Sequence, residues 1–203
     1  QYEKRLEIIK NLNLEIKKNH LVGVCGRSGS GKTTFLNLIL GLLRPTTGEI
    51  IINEKIKLSE NLIIWQDKLS YMPQDLFITK DSLRKNIILK EDYDEETDKK
   101  IFLALKEVQL SDKINNLQKG LDTEISEMGL SLSGGQRQRI VLARSIYHNK
   151  DILVLDEVTS ALDSQTTESI IKLLKNLKKN KTIIISTHNK NILNYCDKII
   201  DLD

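Results

Sequence analysis

The chain has 203 residues, 39% of them apolar and 29% charged, with a net charge of +3. That length suits one domain with room for an inserted sub-domain, and the composition excludes a disordered chain. The small charge, with no basic stripe interleaved with aromatics, gives no footprint for nucleic acid, and no apolar run approaches the roughly 18 residues of a membrane helix.

In chain order, Leu21-Val22-Gly23-Val24-Cys25 is an apolar run ending in glycines and reads as a buried strand. Gly31 to Leu42 reads as a helix, with Phe35, Leu36, Ile39, Leu40 and Leu43 at helical spacing. Thr47-Gly48 marks a turn before a strand at Glu49-Ile50-Ile51-Ile52. From about Ser82 to Tyr147 the apolar spacing is mostly helical, with one helix expected over Glu95 to Val108 and another over Gly135 to Tyr147. Ile101, Leu105 and Val108 share a face of the first, and Asp94 is its expected N-cap. The acidic cluster Glu91, Asp92, Asp94, Glu95 and Glu96 is read as charge favoured at a helix start rather than as metal ligands.

Strand patterns return at Ile152–Leu155, Thr182–Ser186 and Lys198–Ile200, with a helix over Ser164–Leu177 between the first two. Continuous β-branched runs suit parallel strands covered on both faces. The alternation predicts an α/β fold with a mostly parallel sheet and right-handed crossovers. Cys25 and Cys196 lie in or beside apolar segments without metal spacing and read as buried, reduced thiols. Lys17-Lys18 and Lys178-Lys179 read as solvated positions, and His20 and His148 as surface or turn residues. No signal-peptide pattern opens the chain. Gln1 in place of Met, and a strand-like end at Ile199 to Asp203, make truncation at both ends the expectation.

Gly26-Arg27-Ser28-Gly29-Ser30-Gly31-Lys32-Thr33 fits the phosphate-loop pattern G-x-x-x-x-G-K-[ST], with a strand before it and a helix after it. Glycines let the backbone curl so that several N–H groups face phosphate oxygens, and the helix adds its positive end. Lys32 is expected at the β- and γ-phosphates, Thr33 on Mg²⁺, and Thr34 at the α-phosphate. Ile152-Leu153-Val154-Leu155 ends in Asp156 and Glu157. An acid at such a strand tip supports Mg²⁺, the role expected of Asp156. Glu157, one residue further, is expected to polarise the attacking water. These two motifs together specify only a phosphate-loop NTPase.

Leu132-Ser133-Gly134-Gly135-Gln136-Arg137-Gln138-Arg139 resembles the signature motif of the ATP-binding cassette family. Ser133 and the Gly134 and Gly135 amides would open a helix and form a second phosphate-binding point. The resemblance implies a head-to-tail dimer, with ATP between the phosphate loop of one copy and the Ser133–Gln136 segment of the other. It extends over nearly the whole chain. Gln74, after Tyr71-Met72-Pro73, matches the glutamine that joins core to helical sub-domain and touches Mg²⁺ or the water. His188, after Ser186-Thr187, matches the switch histidine that contacts the γ-phosphate and holds Glu157. Ser160-Ala161-Leu162-Asp163 matches the loop that crosses the dimer interface, with Asp163 at the nucleotide site, and Tyr2 resembles the aromatic that stacks on adenine.

The family architecture implies one domain over 1–203, with a core of about 1–75 and 148–203, a helical sub-domain of about 76–147, and a small antiparallel β part near the N-terminus. Gln136-Arg137-Gln138-Arg139 and Asp81-Ser82-Leu83-Arg84-Lys85-Asn86-Ile87 resemble the exporter branch. So does Thr123-Glu124-Ile125-Ser126-Glu127-Met128-Gly129, which departs from the exporter pattern at Ser126 and Met128 and keeps Glu127. The resemblance therefore implies an ATPase that powers an exporter or flippase at the cytoplasmic face of a membrane. Its implied partners are a second copy and the coupling helices of a transmembrane domain, with no nucleic acid. The alternatives are a separately encoded importer ATPase and a non-transport cassette protein.

Overall fold

A computed structural model describes residues 8–125, 131–159 and 162–203. Strand β1 (Leu21–Cys25) leads through a glycine-rich turn into helix α1 (Lys32–Ile39). Two short strands follow, β2 (Ile51–Ile52) and β3 (Ile56–Lys57), paired antiparallel. Helix α2 (Leu62–Asp67) precedes strand β4 (Leu69–Met72). Four helices come next: α3 (Leu83–Ile88), α4 (Glu95–Glu107), α5 (Ser111–Asn115) and α6 (Gly134–Tyr147). The chain then alternates through β5 (Ile152–Asp156), α7 (Ser164–Leu177), β6 (Thr182–Ser186), α8 (Lys190–Leu193) and β7 (Lys198–Asp201).

The main sheet has the order β4-β5-β6-β1-β7, and every pair in it is parallel. The β-branched runs occupy its middle because both faces there are covered. In β5, Leu153 and Leu155 point into the larger core, and Val154 points into the core beneath α1. In β6, Ile183 and Ile185 take the first side and Ile184 the second. This alternation follows from the two-residue period of a strand. The second core is closed by Phe35, Leu36 and Leu40 of α1. Helix α6 packs on α3 and α4 and also reaches β4, so it ties the helical layer to the sheet.

The helix boundaries have local causes. Asp94 caps α4 in a box with Thr97, and Ser133 caps α6 in a box with Gln136, which satisfies N–H groups left open at each helix start. Helix α1 is shorter than its spacing suggests. Gly41 turns left-handed at φ 69, and the Leu42 and Leu43 amides both fold back onto the Asn37 carbonyl. Leu43 is therefore exposed rather than part of the helix face. Helix α2 seals the end of α1, because Trp65 Nε1 donates to the Ile39 carbonyl and Gln66 Nε2 to that of Leu40. The expected strand at Glu49–Ile52 contracts to Ile51–Ile52.

Both cysteines are free thiols, but they are half-buried, which corrects the expectation of full burial. Cys25 begins to emerge from the sheet, and Cys196 follows the short helix α8. Loss of hydration raises both thiol pKa values, with Cys196 pushed up to about 11. His20 lies in the turn before β1, and His148 ends α6 with its ring edge-on to Tyr147.

Candidate active site

All strands of the main sheet are parallel, so the segments leaving β1, β4, β5 and β6 emerge at one edge. Ligand sites of open α/β sheets form at that edge. Here it carries the glycine-rich turn after β1, Gln74 after β4, Glu157 after β5 and His188 after β6. One cavity is lined by Ser28, Gly29, Gly31, Lys32, Thr33, Thr34, Gln74, Asp156, Glu157 and His188, together with Ile8.

The turn has the backbone that its glycines allow. Gly26, Gly29 and Gly31 all have positive φ, at 137°, 82° and 100°. Gly31 is the N-cap of α1, and a Cβ there would stand 2.7 Å from Ile8 Cγ2. A Cβ on Gly26 would stand 2.4 Å from Ser30 Oγ. Gly26 and Ser30 thus shape the turn from behind and do not line the cavity. Lys32 is largely buried, and its Nζ donates to the carbonyls of Gly26 at 2.8 Å and Arg27 at 2.9 Å. The cation braces the loop from inside, with its charge at the start of α1.

Asp156 is the last residue of β5 and is 2% exposed. One carboxylate oxygen accepts from Ser186 Oγ, and Oδ2 accepts from Thr33 Oγ1 at 3.3 Å. Register explains the first contact, because Asp156 and Ser186 are directly paired across β5 and β6. A buried carboxylate needs such partners. Glu157 then turns left-handed, at φ 53. Its N–H donates to Ser186 O at 3.1 Å and approaches Ser186 Oγ at 3.2 Å. Gln74 Nε2 donates to Glu157 Oε2 at 3.2 Å, and His188 Nε2 stands 3.7 Å from Oε1. The Glu157 carboxylate thus sits between two polar side chains from two other strand ends, facing the turn that holds Lys32.

The oxygen groups of the cavity lining include the Thr33 hydroxyl, the Asp156 carboxylate and the Gln74 amide. They are hard donors suited to Mg²⁺. Among the described residues no group of three or more His, Cys, Asp or Glu side chains could hold a metal.

A family profile described as ABC transporter matches residues 9–160. The chain belongs to the ABC transporter family. Over 197 residues this ABC domain is 36% identical to a candidate ABC transporter ATP-binding/permease protein of Haemophilus influenzae, covering 97% of the chain and 35% of that protein. It is 37% identical over 199 residues to a candidate multidrug export ATP-binding/permease protein of Staphylococcus aureus, covering 97% of the chain and 34% of the relative. The chain thus spans about a third of the length of the curated relatives it matches. It is also similar to a solved bacterial Atm1-family ABC exporter with ATP bound. The TM-score is 0.89 and the identity 31%, over 100% of this chain and 35% of that one.

The ABC domain keeps Ser133, Gly134, Gly135 and Gln136 out of the cavity lining and places them at the start of α6. Asp163 is likewise outside that lining. It caps α7 by accepting from the Thr166 amide at 2.9 Å, and the Thr166 bonds hold its carboxyl below the usual range. Tyr2, the Ser126–Gly129 stretch with Glu127, and Ser160-Ala161 lie outside the described residues. Three further residues touch the site's groups in ways that the sequence motifs do not show. Ile8 reaches the turn from a segment upstream of β1, Ser186 meets Asp156 through strand register, and Gln138 Nε2 donates to the Glu157 carbonyl at 3.1 Å.

Proposed function

We propose that this chain is the ATP-binding and ATP-hydrolysing domain of an exporter or flippase. The observation that carries the reading is the meeting of Lys32, Thr33, Gln74, Asp156, Glu157 and His188 around one cavity at the open edge of a parallel sheet. These groups come from four separate strand ends, and their chemistry is that of phosphoryl transfer to water.

In this reading the amides of the Gly26–Thr33 turn and the N-terminus of α1 surround the β- and γ-phosphates of ATP. Lys32 leaves its loop carbonyls for the β- and γ-phosphate oxygens, Thr34 meets the α-phosphate, and Tyr2 stacks on adenine. Thr33, Asp156 and Gln74 hold Mg²⁺, which when bound neutralises phosphate charge. Glu157 accepts a hydrogen bond from a water whose oxygen attacks the γ-phosphorus. The bond from that phosphorus to the bridging oxygen breaks, its electron pair leaves with ADP, and the water proton departs through Glu157. His188 contacts the γ-phosphate and orients Glu157. Catalysis by such a site is mostly positioning and charge stabilisation.

Ser133, Gly134, Gly135 and Gln136 serve a second copy. The Gly134 and Gly135 amides, flanked by the Ser133–Gln136 capping box at the start of α6, complete that copy's site, so ATP is clamped between two chains in head-to-tail arrangement. Asp163, beside the crossing loop, faces the same interface. Residues of about 76–147 form a helical sub-domain on a core of about 1–75 and 148–203. A transmembrane domain, in keeping with the ATP-binding/permease names of the relatives, docks on this domain at the cytoplasmic face of the membrane. ATP binding closes the dimer, and hydrolysis reopens it.

The test is ATP turnover by the full-length protein. Glu157→Gln is expected to lose hydrolysis and keep ATP binding, while Lys32→Ala is expected to lose binding. Full turnover by Glu157→Gln, or unchanged ATP affinity in Lys32→Ala, would falsify these roles.

A further inference from the structure

Helix α6 carries more than the Ser133–Gln136 segment at its start. One turn later Gln138 points inward and is 4% exposed. Its Nε2 donates to the backbone carbonyl of Glu157 at 3.1 Å. Glu157 is a non-glycine residue in the left-handed region, at φ 53, a conformation its Cβ disfavours. The surroundings therefore have to fix it. On the amino side of the residue, its N–H is bound to Ser186 O and Ser186 Oγ at the end of β6. On the carboxyl side, its carbonyl is bound to Gln138. The direction of the Glu157 side chain depends on the orientation of the two peptides that flank it.

Resting on the ATPase reading above, we infer that Gln138 is a positioning residue for Glu157, joining the helix that serves the partner copy's nucleotide to the carboxylate that acts on this copy's own. Helix α6 packs on α3 and α4 and touches β4, while Glu157 follows β5 and is bound to the end of β6. The bond from Gln138 spans the two. When the start of α6 engages a nucleotide across the dimer, the Glu157 peptide is held in the orientation that aims its carboxylate between Gln74 and His188. The ligand in question is the nucleotide already assigned, and the new element is a mechanical link between two half-sites within one chain.

The link predicts an effect on turnover rather than on binding. Gln138→Met keeps the length of the side chain and removes the donor. In the full-length protein with MgATP, kcat is expected to fall about tenfold, the effect of one lost buried hydrogen bond. The KM for ATP should stay within about twofold, because no atom of Gln138 lines the cavity. The decisive comparison is a double-mutant cycle by single-turnover hydrolysis. In a Glu157→Gln background, Gln138→Met should change the residual rate little, since its effect runs through the carboxylate that is already gone. An unchanged kcat in Gln138→Met, a loss carried by KM, or an equal tenfold loss in both backgrounds would overturn the link. Where Gln138→Met does not fold, Gln138→Glu carries the same test, with an oxygen in place of the donor and a larger expected fall in kcat. Absence of ATP turnover in the wild type, or full turnover in Glu157→Gln, would instead overturn the ATPase reading on which the link rests.

Discussion

Thr33 Oγ1 donates to Asp156 Oδ2 at 3.3 Å, joining the first turn of α1 to the tip of β5. The pair brings a hydroxyl and a carboxylate to one spot, and Ser186 Oγ takes the other carboxylate oxygen. Asp156 is thus fixed in direction as well as in place. Asp156→Asn keeps the size of the side chain and removes the charge. ATP titrations with and without Mg²⁺ are expected to show wild-type affinity rising at least tenfold with the cation, and Asp156→Asn losing most of that gain. An equal Mg²⁺ effect in both proteins would remove Asp156 from the cation site.

Gly31 and Gly29 separate backbone strain from crowding. Both have positive φ, at 100° and 82°. A Cβ on Gly29 meets nothing within 4 Å, whereas one on Gly31 meets Ile8 Cγ2 at 2.7 Å. Each alanine substitution should cost about 1–2 kcal/mol for the left-handed backbone alone. Gly31→Ala should cost more than Gly29→Ala because Ile8 must also shift. Chemical denaturation of the two variants checks the order, and equal losses would show that Ile8 does not press on the turn.

Asn86, on α3, is fully buried and organises the segment that follows Gln74. Its Oδ1 accepts from the Thr79 amide at 2.9 Å, and its Nδ2 donates to the carbonyls of Thr79 at 3.0 Å and Ser82 at 3.1 Å. Arg144 of α6 adds a bond to the Asn86 carbonyl at 2.7 Å. Asn86→Leu leaves several of these groups without partners and is expected to destabilise the domain by about 2–4 kcal/mol. A thermal shift within error of the wild type would contradict this.

Much of the fold and site was legible because chemistry and periodicity coincide. The β-branched runs of β5 and β6 lie in the sheet centre, where both faces are covered. Asp94 could be read as a cap because an acid preceded a periodic run. The turn around Lys32 was legible because a strand and a helix flank it. Strand β4 escaped notice because it lies at the sheet edge, and Ser70 and Tyr71 break its apolar pattern. Leu43 was misplaced because spacing cannot show where Gly41 turns left-handed. Ser186 as the partner of Asp156, and Ile8 against Gly31, depend on register and on packing between distant segments, which no local pattern encodes. Gln138 sat in plain view within a motif, but its inward direction toward Glu157 is a property of the folded helix.

The helix caps should give the domain a recognisable acid limb. Thr97 holds the Asp94 carboxyl below its ordinary value through its side chain and then its amide, and Thr166 does so for Asp163 through its amide and then its side chain. A carboxyl with a lowered folded pKa binds its proton more weakly folded than unfolded. Its contribution is complete above the unfolded value near 3.9 and disappears as pH falls through the lower folded value. Paired Asp94→Asn and Asp163→Asn substitutions keep a cap oxygen and cannot titrate. The stability difference from wild type should be present at pH 7 and smaller at pH 3, below the unfolded value near 3.9. A difference independent of pH, measured by denaturant unfolding at both values, would contradict the assignment.

The most direct test of the composite site is complementation between two defective chains. Lys32→Ala removes the phosphate-loop cation, and Ser133→Glu places a negative charge at the start of α6. Each full-length variant alone should be inactive. Mixed before assembly, they form a dimer with one site in which an intact Lys32 faces an intact Ser133 from the other chain. ATPase activity is expected to return on mixing, toward half that of the wild-type dimer at best. If each chain used its own Ser133, no site in any mixture would be intact, and failure of activity to return would contradict the shared site.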